Sequence, residues 1–490
     1  MTISIAAQVP SDTAAPSRRR QVLILAICCM SLLIVGLDNT IVNVALPSIR
    51  ADLHASLSQL QWTIDAYTLV LASLLMLSGS MADRLGRVRV FQTGLVLFTL
   101  GSLACSLAPS VGWLIVFRML QAVGGSMLNP VAMSIIRNTF DDPRERAQAI
   151  GVWGGVIGIS MALGPVIGGA LVELSWRAIF LVNLPVGLAA IALTARYVPE
   201  SRALRARRVD PVGQVLIIVL LASVSYAIIE GPGLGWTSAT MAGLLALAAA
   251  ALAGLLHYER RRVEPLIELR FFRSAPFSGA TVIAVCAFAA LGGFLFLNTL
   301  YLQEVRGLSP LHAGLYTLPM AAMTIVFGPL SGQIVGTRGA RTPLLLGGTG
   351  IAIGATMLTG VTAATSPAWL LAAYVVFGIG FGFVNAPITN TAVSGMPAGQ
   401  AGVAAAVAST SRQVGQSLGV AIVGAVAAAG AGASLHGGLA TSPHVGWWVI
   451  AGCGAAVVVF GVATTTPWAY ATAARTAAEL EPEPSPTVGA

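Results

Sequence analysis

The chain has 490 residues, of which 56% are hydrophobic and 9% charged, and its mean hydropathy is +0.83. A water-soluble domain cannot carry that average, because a soluble protein covers itself with polar side chains. The formal net charge is +8, and all 27 basic residues are arginine. Without lysine the chain cannot form a P-loop ATPase site or a Schiff base with a retinal-like ligand.

Apolar runs long enough to cross a bilayer as helices, roughly 20 residues each, recur from Val22 to Trp468. They predict an all-α polytopic membrane protein with fourteen transmembrane helices. The predicted spans are 21–46, 58–80, 88–108, 111–136, 147–172, 176–196, 211–230, 237–257, 275–300, 310–335, 342–362, 367–390, 400–431 and 443–468.

The arginines set the predicted orientation. If the N-terminus is cytoplasmic, the inner segments carry 22 arginines and the outer segments carry three, Arg50, Arg177 and Arg306. Because arginine and lysine concentrate in cytoplasmic loops, this split predicts a multi-pass protein of the cell membrane with both termini in the cytoplasm.

Two arginine-rich segments, 196–208 and 257–273, bracket the seventh and eighth spans. The chain therefore divides into two six-helix bundles with an inserted helix pair. A glycine- and arginine-containing segment follows the second span of each bundle, at 79–89 and 328–341, as expected of a transporter built from repeats. The predicted divisions are a cytoplasmic segment 1–20, bundles 21–196 and 275–468, a linker with two helices 197–274, and a disordered cytoplasmic tail 469–490.

Residues 79–89 form a short charged link between two spans, with four charges and two glycines in eleven residues. A short link of this kind predicts a tight turn in which Asp83 pairs with a neighbouring arginine. We interpret it as a cytoplasmic gate that pairs in one conformation and opens in the other, although the arginines could serve as a topology signal alone. The residues assigned to this gate are Gly79, Asp83, Arg84, Gly86, Arg87 and Arg89.

Four charged residues stand inside predicted spans: Asp38, Asp65, Arg118 and Arg412. Each costs roughly 2.5–3.5 kcal/mol at a helix centre, so such residues indicate function. At 1.5 Å per residue, the first three lie roughly 10–12 Å below the outer surface, which would allow them to face one aqueous cavity. We predict that Asp38 and Asp65 couple protons and cations and that Arg118 steers their protonation. Each of these residues could instead be a hydrogen-bonded packing residue.

Other polar and small residues complete the candidate site. Small residues and a proline in the fifth span allow close helix packing and a bend, and we assign antiporter helix packing to Gly158, Gly164, Pro165, Gly168 and Gly169. Candidate cavity residues are Asn43, Gln121, Asn129 and Arg412, with a polar helix contact as the simpler interpretation of Arg412. The five cysteines lie in apolar runs without metal-ligand spacing, and no cofactor, metal or nucleic-acid partner is expected.

Four segments together resemble the major facilitator superfamily and, within it, the fourteen-span drug:proton antiporters. They are 37–47 in the first span, 79–89 after the second, 118–125 in the fourth and 158–169 in the fifth. The chain departs from the family pattern at Ala122, where glycine is usual, and in the second-half segment, which lacks the acidic residue. The resemblance implies a monomer that exports a small-molecule drug in exchange for protons.

The function that follows is proton-coupled export of lipophilic, often cationic, drugs or antibiotics by alternating access. The alternative is proton-symport uptake of a metabolite or nutrient, with the opposite dependence on the proton gradient. A channel fits poorly with a two-bundle build. An enzyme is not expected, because the five histidines are scattered and no nucleophile–base pair is apparent.

Overall fold

The computed structural model describes residues 17–202, 209–262, 264–397, 400–430 and 443–480. Within these ranges the chain is helical and contains no β-strand. Most of the predicted N-terminal segment, the arginines at 205, 207 and 208, and residues 481–490 lie outside the described residues. The helices are α1 (Arg18–Leu53), α2 (Leu57–Leu85), α3 (Arg87–Ser106), α4 (Val111–Thr139), α5 (Pro143–Leu174), α6 (Ala178–Leu181), α7 (Asn183–Tyr197), α8 (Pro211–Leu234), α9 (Ala239–Glu259), α10 (Ala275–Leu300), α11 (Pro310–Tyr316), α12 (Leu318–Arg338), α13 (Arg341–Met357), α14 (Pro367–Val393), α15 (Ala401–Gly430), α16 (Pro443–Ala463) and α17 (Pro467–Leu480).

By length and composition, eleven helical segments in the described residues could cross a membrane, or twelve if the bent helix α5 is one span. Helix α5 bends by 41° between the segments Arg144–Met161 and Leu163–Leu174. The two other predicted spans coincide with α13, which has 17 residues, and with α15, which carries a polar run at 409–413. The structure is thus all-helical and polytopic, and the count of fourteen spans stays a prediction.

The first and last helical groups repeat one packing pattern. Helix α1 packs on α5, and α2 and α3 pack on α4; likewise α10 packs on α15, and α12 and α13 pack on α14. Each group buries its own apolar core. We call the group from α1 to α7 the first half and the group from α10 to α16 the second half.

Helices α8 and α9 pack on each other, and α8 also contacts α2 and α15. Two polar contacts fasten α8 to α2. The Gln214 side chain donates to the Ser73 carbonyl at 2.6 Å, and the Trp62 indole donates to the Glu230 carboxylate at 2.8 Å. The inserted pair is therefore held against the line where the two halves meet.

Polar contacts hold the two halves together at one end. At the end where α1 finishes, Arg50 pairs with Glu304 at 3.0 Å and Gln303 donates to the Val44 carbonyl at 2.8 Å. Farther along, a methyl group added at Gly155 of α5 or Gly328 of α12 would meet nothing within 4 Å among the described residues.

Residues 467–480, placed by the sequence mostly in a disordered tail, form helix α17 instead. Thr472 accepts a hydrogen bond from the Ala275 amide at 2.9 Å, and Glu479 pairs with Arg273 at 2.7 Å. Small residues such as Ala469 and Ala473 are buried in the contact. The sequence of this segment is mostly polar, but one face of the helix is formed by small residues that pack against the start of α10.

Candidate functional site

The strongest polar contact inside the first half joins α1 to α4. Arg118 donates to the Asp38 carboxylate at 2.5 Å, and both side chains are buried, with 2% and 0% of their surfaces exposed. Breaking such a pair leaves an uncompensated charge in a medium that solvates it poorly. The two predicted residues are therefore brought together, as a neutralised ion pair.

Polar groups from α3, α4 and α7 surround this pair. Gln121 accepts from Arg118 at 2.6 Å and donates to Asp38 at 2.9 Å and to the Ser102 hydroxyl at 2.7 Å. Asn183 donates to Asp38 at 3.4 Å. The pair thus has the satisfied hydrogen bonds that a buried ion pair needs, and Gln121 belongs to this network.

Helix α2 contributes the remaining contacts to Arg118. Its guanidinium donates to the Thr63 carbonyl at 3.2 Å and lies 4.0 Å from the centre of the Tyr67 ring, close enough for a cation–π contact. The network therefore ties together α1, α2, α3, α4 and α7 inside one half. The expectation that Asp38, Asp65 and Arg118 face one aqueous cavity is wrong for this conformation, because Asp38 and Arg118 are sealed within the bundle.

Asp65 occupies a different environment, at the contact of α2 with α15 of the second half. Its side chain is fully buried and directed toward Ser417. Among the described residues, neither carboxylate oxygen has a hydrogen-bond partner of normal geometry. Depth estimates could not separate Asp38 from Asp65, because rotation about each helix axis decides what an intramembrane side chain meets.

Two small pockets lie between the halves, each with about 10 Å³ of space for a water-sized molecule. One is mostly apolar and is lined by Gly158, Met161, Met320 and Phe381 among others. The other has polar lining from Thr40, Asn43, Asn298, Thr299 and Thr317. Asn43 is thus placed at a cavity as predicted, while Gln121 is not. Asn129 is half-buried, and its side-chain amide oxygen has no hydrogen-bond partner within the described chain.

The small residues of α5 lie where the halves approach most closely. A methyl group at Gly169 would come within 2.5 Å of the Pro310 carbonyl, across the boundary, and one at Gly158 would touch Ile325 at 3.6 Å. At Gly164 and Gly168 it would press into α1, at 1.8 Å from the Thr40 hydroxyl and 2.7 Å from Ile41. In return, Gly314 of α11 packs onto the Pro165 carbonyl. The small residues of α5 therefore contact both α1 and the second half.

The predicted gate segment is mostly helical, so the link between the two helices is shorter than the sequence suggested. Helix α2 ends at Leu85 and α3 begins at Arg87, so Gly86 alone joins them, at φ +114°. A methyl group there would also collide with the Glu200 carboxylate at 2.7 Å, so this position requires glycine.

The charges of this segment pair locally. Asp83 near the end of α2 accepts from Arg87 at the start of α3 at 3.0 Å, while Arg84 is exposed. Glu200 accepts from the amides of Val88 and Arg89, at 3.0 and 3.2 Å, and so caps the start of α3. Gly79 lies near Pro130 of α4, at 4.0 Å from an added methyl group. The Asp83–Arg87 pairing is as predicted, and Glu200 was missed.

Arg412 is half-buried on α15, where it meets neutral groups only. It donates to the Thr389 hydroxyl at 2.5 Å and to the Asn385 carbonyl at 3.4 Å. Its guanidinium lies 5.9 Å from the centre of the Phe288 ring. In the parts of the chain that the structure describes, Arg412 forms no ion pair.

Several residues of the site were not predicted from the sequence. Ser102, Asn183 and Tyr67 join the Asp38–Arg118 network, and in the second half the Tyr374 hydroxyl donates to Asn298. Polar residues inside apolar runs were the available signal, but serine, asparagine and tyrosine are too common in membrane helices to be singled out by type alone.

Two helical halves that repeat one packing pattern, with a buried ion pair inside the first, are the architecture of a membrane transporter built from repeats. A family model described as Major Facilitator Superfamily matches residues 28–420. The chain belongs to the Major Facilitator Superfamily, and it is a transporter and not an enzyme.

Similar proteins carry names of resistance and export. The chain is 38% identical over 419 residues to the Multidrug resistance protein Stp of Mycobacterium tuberculosis (strain CDC 1551 / Oshkosh), covering 85% of this chain and 78% of that protein. It is 39% identical over 409 residues to the Tetracenomycin C resistance and export protein of Streptomyces glaucescens, covering 82% and 75%. It is 38% identical over 395 residues to the Methylenomycin A resistance protein of Streptomyces coelicolor, covering 80% and 82%.

Among solved structures, a bacterial homolog of the human lysosomal transporter Spinster, crystallised in an inward-facing, unoccupied conformation, resembles the chain. The TM-score is 0.67 at 18% identity, over 96% of this chain and all of that one. A peptide transporter bound to sulfate matches with a TM-score of 0.65 at 14% identity, over 93% and 95%. At these identities the likeness concerns the fold.

Proposed function

We propose that this protein is a proton-coupled exporter of lipophilic drugs or antibiotics that works by alternating access. The export of drugs is supported by relatives at 33–39% identity whose names describe multidrug efflux and antibiotic resistance. In this proposal the protein acts as a monomer with fourteen spans and cytoplasmic termini, and the halves are the predicted bundles 21–196 and 275–468.

One observation supports the proton coupling above all: Asp65 is a fully buried acid at the contact between the halves, and its oxygens have no partner of normal geometry among the described residues. An ionised carboxylate without a partner is costly inside a membrane, so this conformation favours the neutral, protonated acid. When the halves separate along α2 and α15, water reaches the carboxyl group and the proton can leave. The proton is thereby exchanged at the same contact whose opening moves the cargo.

The Asp38–Arg118 pair has a complementary role in this scheme. It holds five helices of the first half together, so that the half moves as one body. A coupling role for Asp38 requires that the pair break during the cycle, since Asp38 is neutralised by Arg118 in this conformation. The predicted binding of cations then depends on Asp65, whose carboxylate favours a cationic cargo when it is ionised.

The contacts between the two halves provide the conformational part of the mechanism. Arg50–Glu304 and the close contact of Gly169 with Pro310 hold the halves together at one end. We assign this closed end to the outer surface and the Asp83–Arg87 turn to the cytoplasmic gate. The structure would then correspond to the state that loads cargo from the cytoplasm.

Expression in a drug-sensitive host tests this function, with a panel of dyes and antibiotics and a protonophore as control. The wild-type protein should raise resistance to some members, and the protonophore should abolish the effect. Export that continues after collapse of the proton gradient would contradict proton coupling. Accumulation that increases with an inward proton gradient would instead indicate symport uptake.

A further inference from the structure

Arg412 is the one intramembrane charge that the proposed mechanism does not use. It lies eleven residues after the start of α15, about 16 Å along the helix at 1.5 Å per residue. That depth keeps its guanidinium away from the lipid headgroups. The acceptors around it are the Thr389 hydroxyl, the Asn385 carbonyl and, at 3.5 Å, the Ser409 hydroxyl, while its Nε atom has no partner in the described structure.

The second half cannot supply a carboxylate to Arg412 from within. Residues 275–468 contain a single acidic residue, Glu304, and Arg50 of the first half already pairs with it at 3.0 Å. Arg118 shows the contrasting arrangement, since Asp38 neutralises it. A buried charge without a counterion is costly, and inside a membrane it indicates a functional site.

Aromatic side chains connect Arg412 to the apolar cavity between the halves. The guanidinium lies 5.9 Å from the Phe288 ring centre, and Phe288 meets Phe381 edge to face at 5.3 Å. Phe381 in turn lines the small, mostly apolar pocket between the halves. Asn385 and Thr389, which accept hydrogen bonds from the guanidinium, are exposed, so the charged group lies beside an accessible surface.

We propose that Arg412, Phe288 and Phe381 form a cargo subsite for planar aromatic compounds that carry an acidic group. The aromatic body packs on the two phenylalanine rings, and the carboxylate or acidic phenol meets the guanidinium, whose planar donors suit two oxygens at once. This inference rests on the proposed function and narrows its substrate class. It assigns to the second half a selectivity for anions, opposite to the cation preference that Asp65 would give.

Three pyrene derivatives with the same ring and different charge test the subsite. They are pyrenecarboxylate, pyrenemethanol and pyrenemethylamine, which are anionic, neutral and cationic near neutral pH. Binding to the purified full chain in detergent is followed by energy transfer from tryptophan to pyrene. The wild-type protein should bind the carboxylate about tenfold or more tightly than the amine, as expected for a charged hydrogen-bonded pair.

Four variants separate charge from folding. Arg412→Gln should lose the preference for the carboxylate, and Arg412→Lys should keep part of it. Thr389→Glu would give Arg412 an internal counterion, so it should weaken carboxylate binding about tenfold or more while the melting temperature is kept. Arg475→Gln, which removes an exposed arginine of α17, should bind all three compounds like the wild type.

Export of the same compounds from preloaded cells distinguishes this inference from the proposed function. If the amine is exported and the carboxylate neither binds nor responds to Arg412→Gln, the subsite is wrong and the exporter remains. If the carboxylate binds in an Arg412-dependent way and expression raises the export of none of the three compounds, the subsite stands and the proposed export function is contradicted for this class. Equal binding of all three compounds by the wild type and Arg412→Gln also overturns the subsite.

Discussion

The two halves share a packing pattern but differ in charge. Residues 21–196 contain eight acidic residues and residues 275–468 contain one. Arg118 and Tyr374 each lie seven residues after the start of corresponding helices, α4 and α14. The first is part of a charged pair with Asp38, whereas the second is part of a neutral pair with Asn298. Each half thus has a buried polar contact between these helices, and only the contact in the first half is charged.

This difference suggests a division of labour. A half that contains intramembrane carboxylates can exchange protons, and a half with an unpaired arginine can attract an anionic group. Duplicated bundles can keep one packing scheme while their buried polar groups diverge, because packing depends on size and shape and coupling depends on ionisation. The following predictions test the contrast from the largest expected effect to the smallest.

Replacing Asp38 by Ala should have the largest effect on stability. Arg118 would be left buried without a counterion, which costs about 3–5 kcal/mol, and efflux should be lost with the fold of the first half. Thermal unfolding in detergent measures the change. The double variant Asp38→Ala with Arg118→Met should recover a large part of the loss, and a single variant as stable as the wild type would contradict the role of the pair.

Tyr374→Phe makes the equivalent change in the second half and should cost less. It leaves the buried Asn298 oxygen without its donor, an effect of about 1–3 kcal/mol. The same unfolding measurement checks it against Asp38→Ala. If the two changes destabilise the protein equally, then charge does not distinguish the polar contacts of the two halves.

Gly169→Ala tests the close contact between the two halves. The new methyl group would lie 2.5 Å from the Pro310 carbonyl, and overpacking of this kind costs about 1–3 kcal/mol. We expect a lower melting temperature and slower efflux. Gly155→Ala is the matched control in the same helix, because nothing lies within 4 Å of its added methyl group, and it should behave like the wild type.

Arg87→Gln should change stability least, by about 0.2–1 kcal/mol, as is typical of a single partly exposed ion pair. If the Asp83–Arg87 pair is a gate, efflux should nevertheless fall several-fold. The comparison is Arg338→Gln in the second-half segment, which has no acid to pair with. An equal effect of both variants on efflux would indicate that the arginines act only as topology signals.

The sequence was sufficient for the all-helical, polytopic class and for the pairing of Asp83 with Arg87, because apolar runs and charge positions carry these features directly. The predicted bounds of the two bundles and of the inserted pair stay predictions. It could not separate Asp38 from Asp65, since both are acids at a similar depth. Only the rotation of each helix decides whether the acid faces its own bundle, as Asp38 does, or the other half, as Asp65 does. Glu200 escaped notice because it acts from a connecting segment distant in sequence. Helix α17 was missed because alternating small and polar residues resemble a disordered tail.

The most direct test of the account is drug-driven proton movement in proteoliposomes that contain the wild type, Asp65→Asn or Asp141→Asn, the last removing an exposed acid of the same half. A drug gradient should move protons through the wild type and Asp141→Asn. Asp65→Asn should abolish proton movement, while its free energy of unfolding stays within about 1 kcal/mol of the wild-type value, since no hydrogen bond of normal geometry is lost. Proton movement of wild-type size in Asp65→Asn would contradict the central claim that this acid couples protons to export.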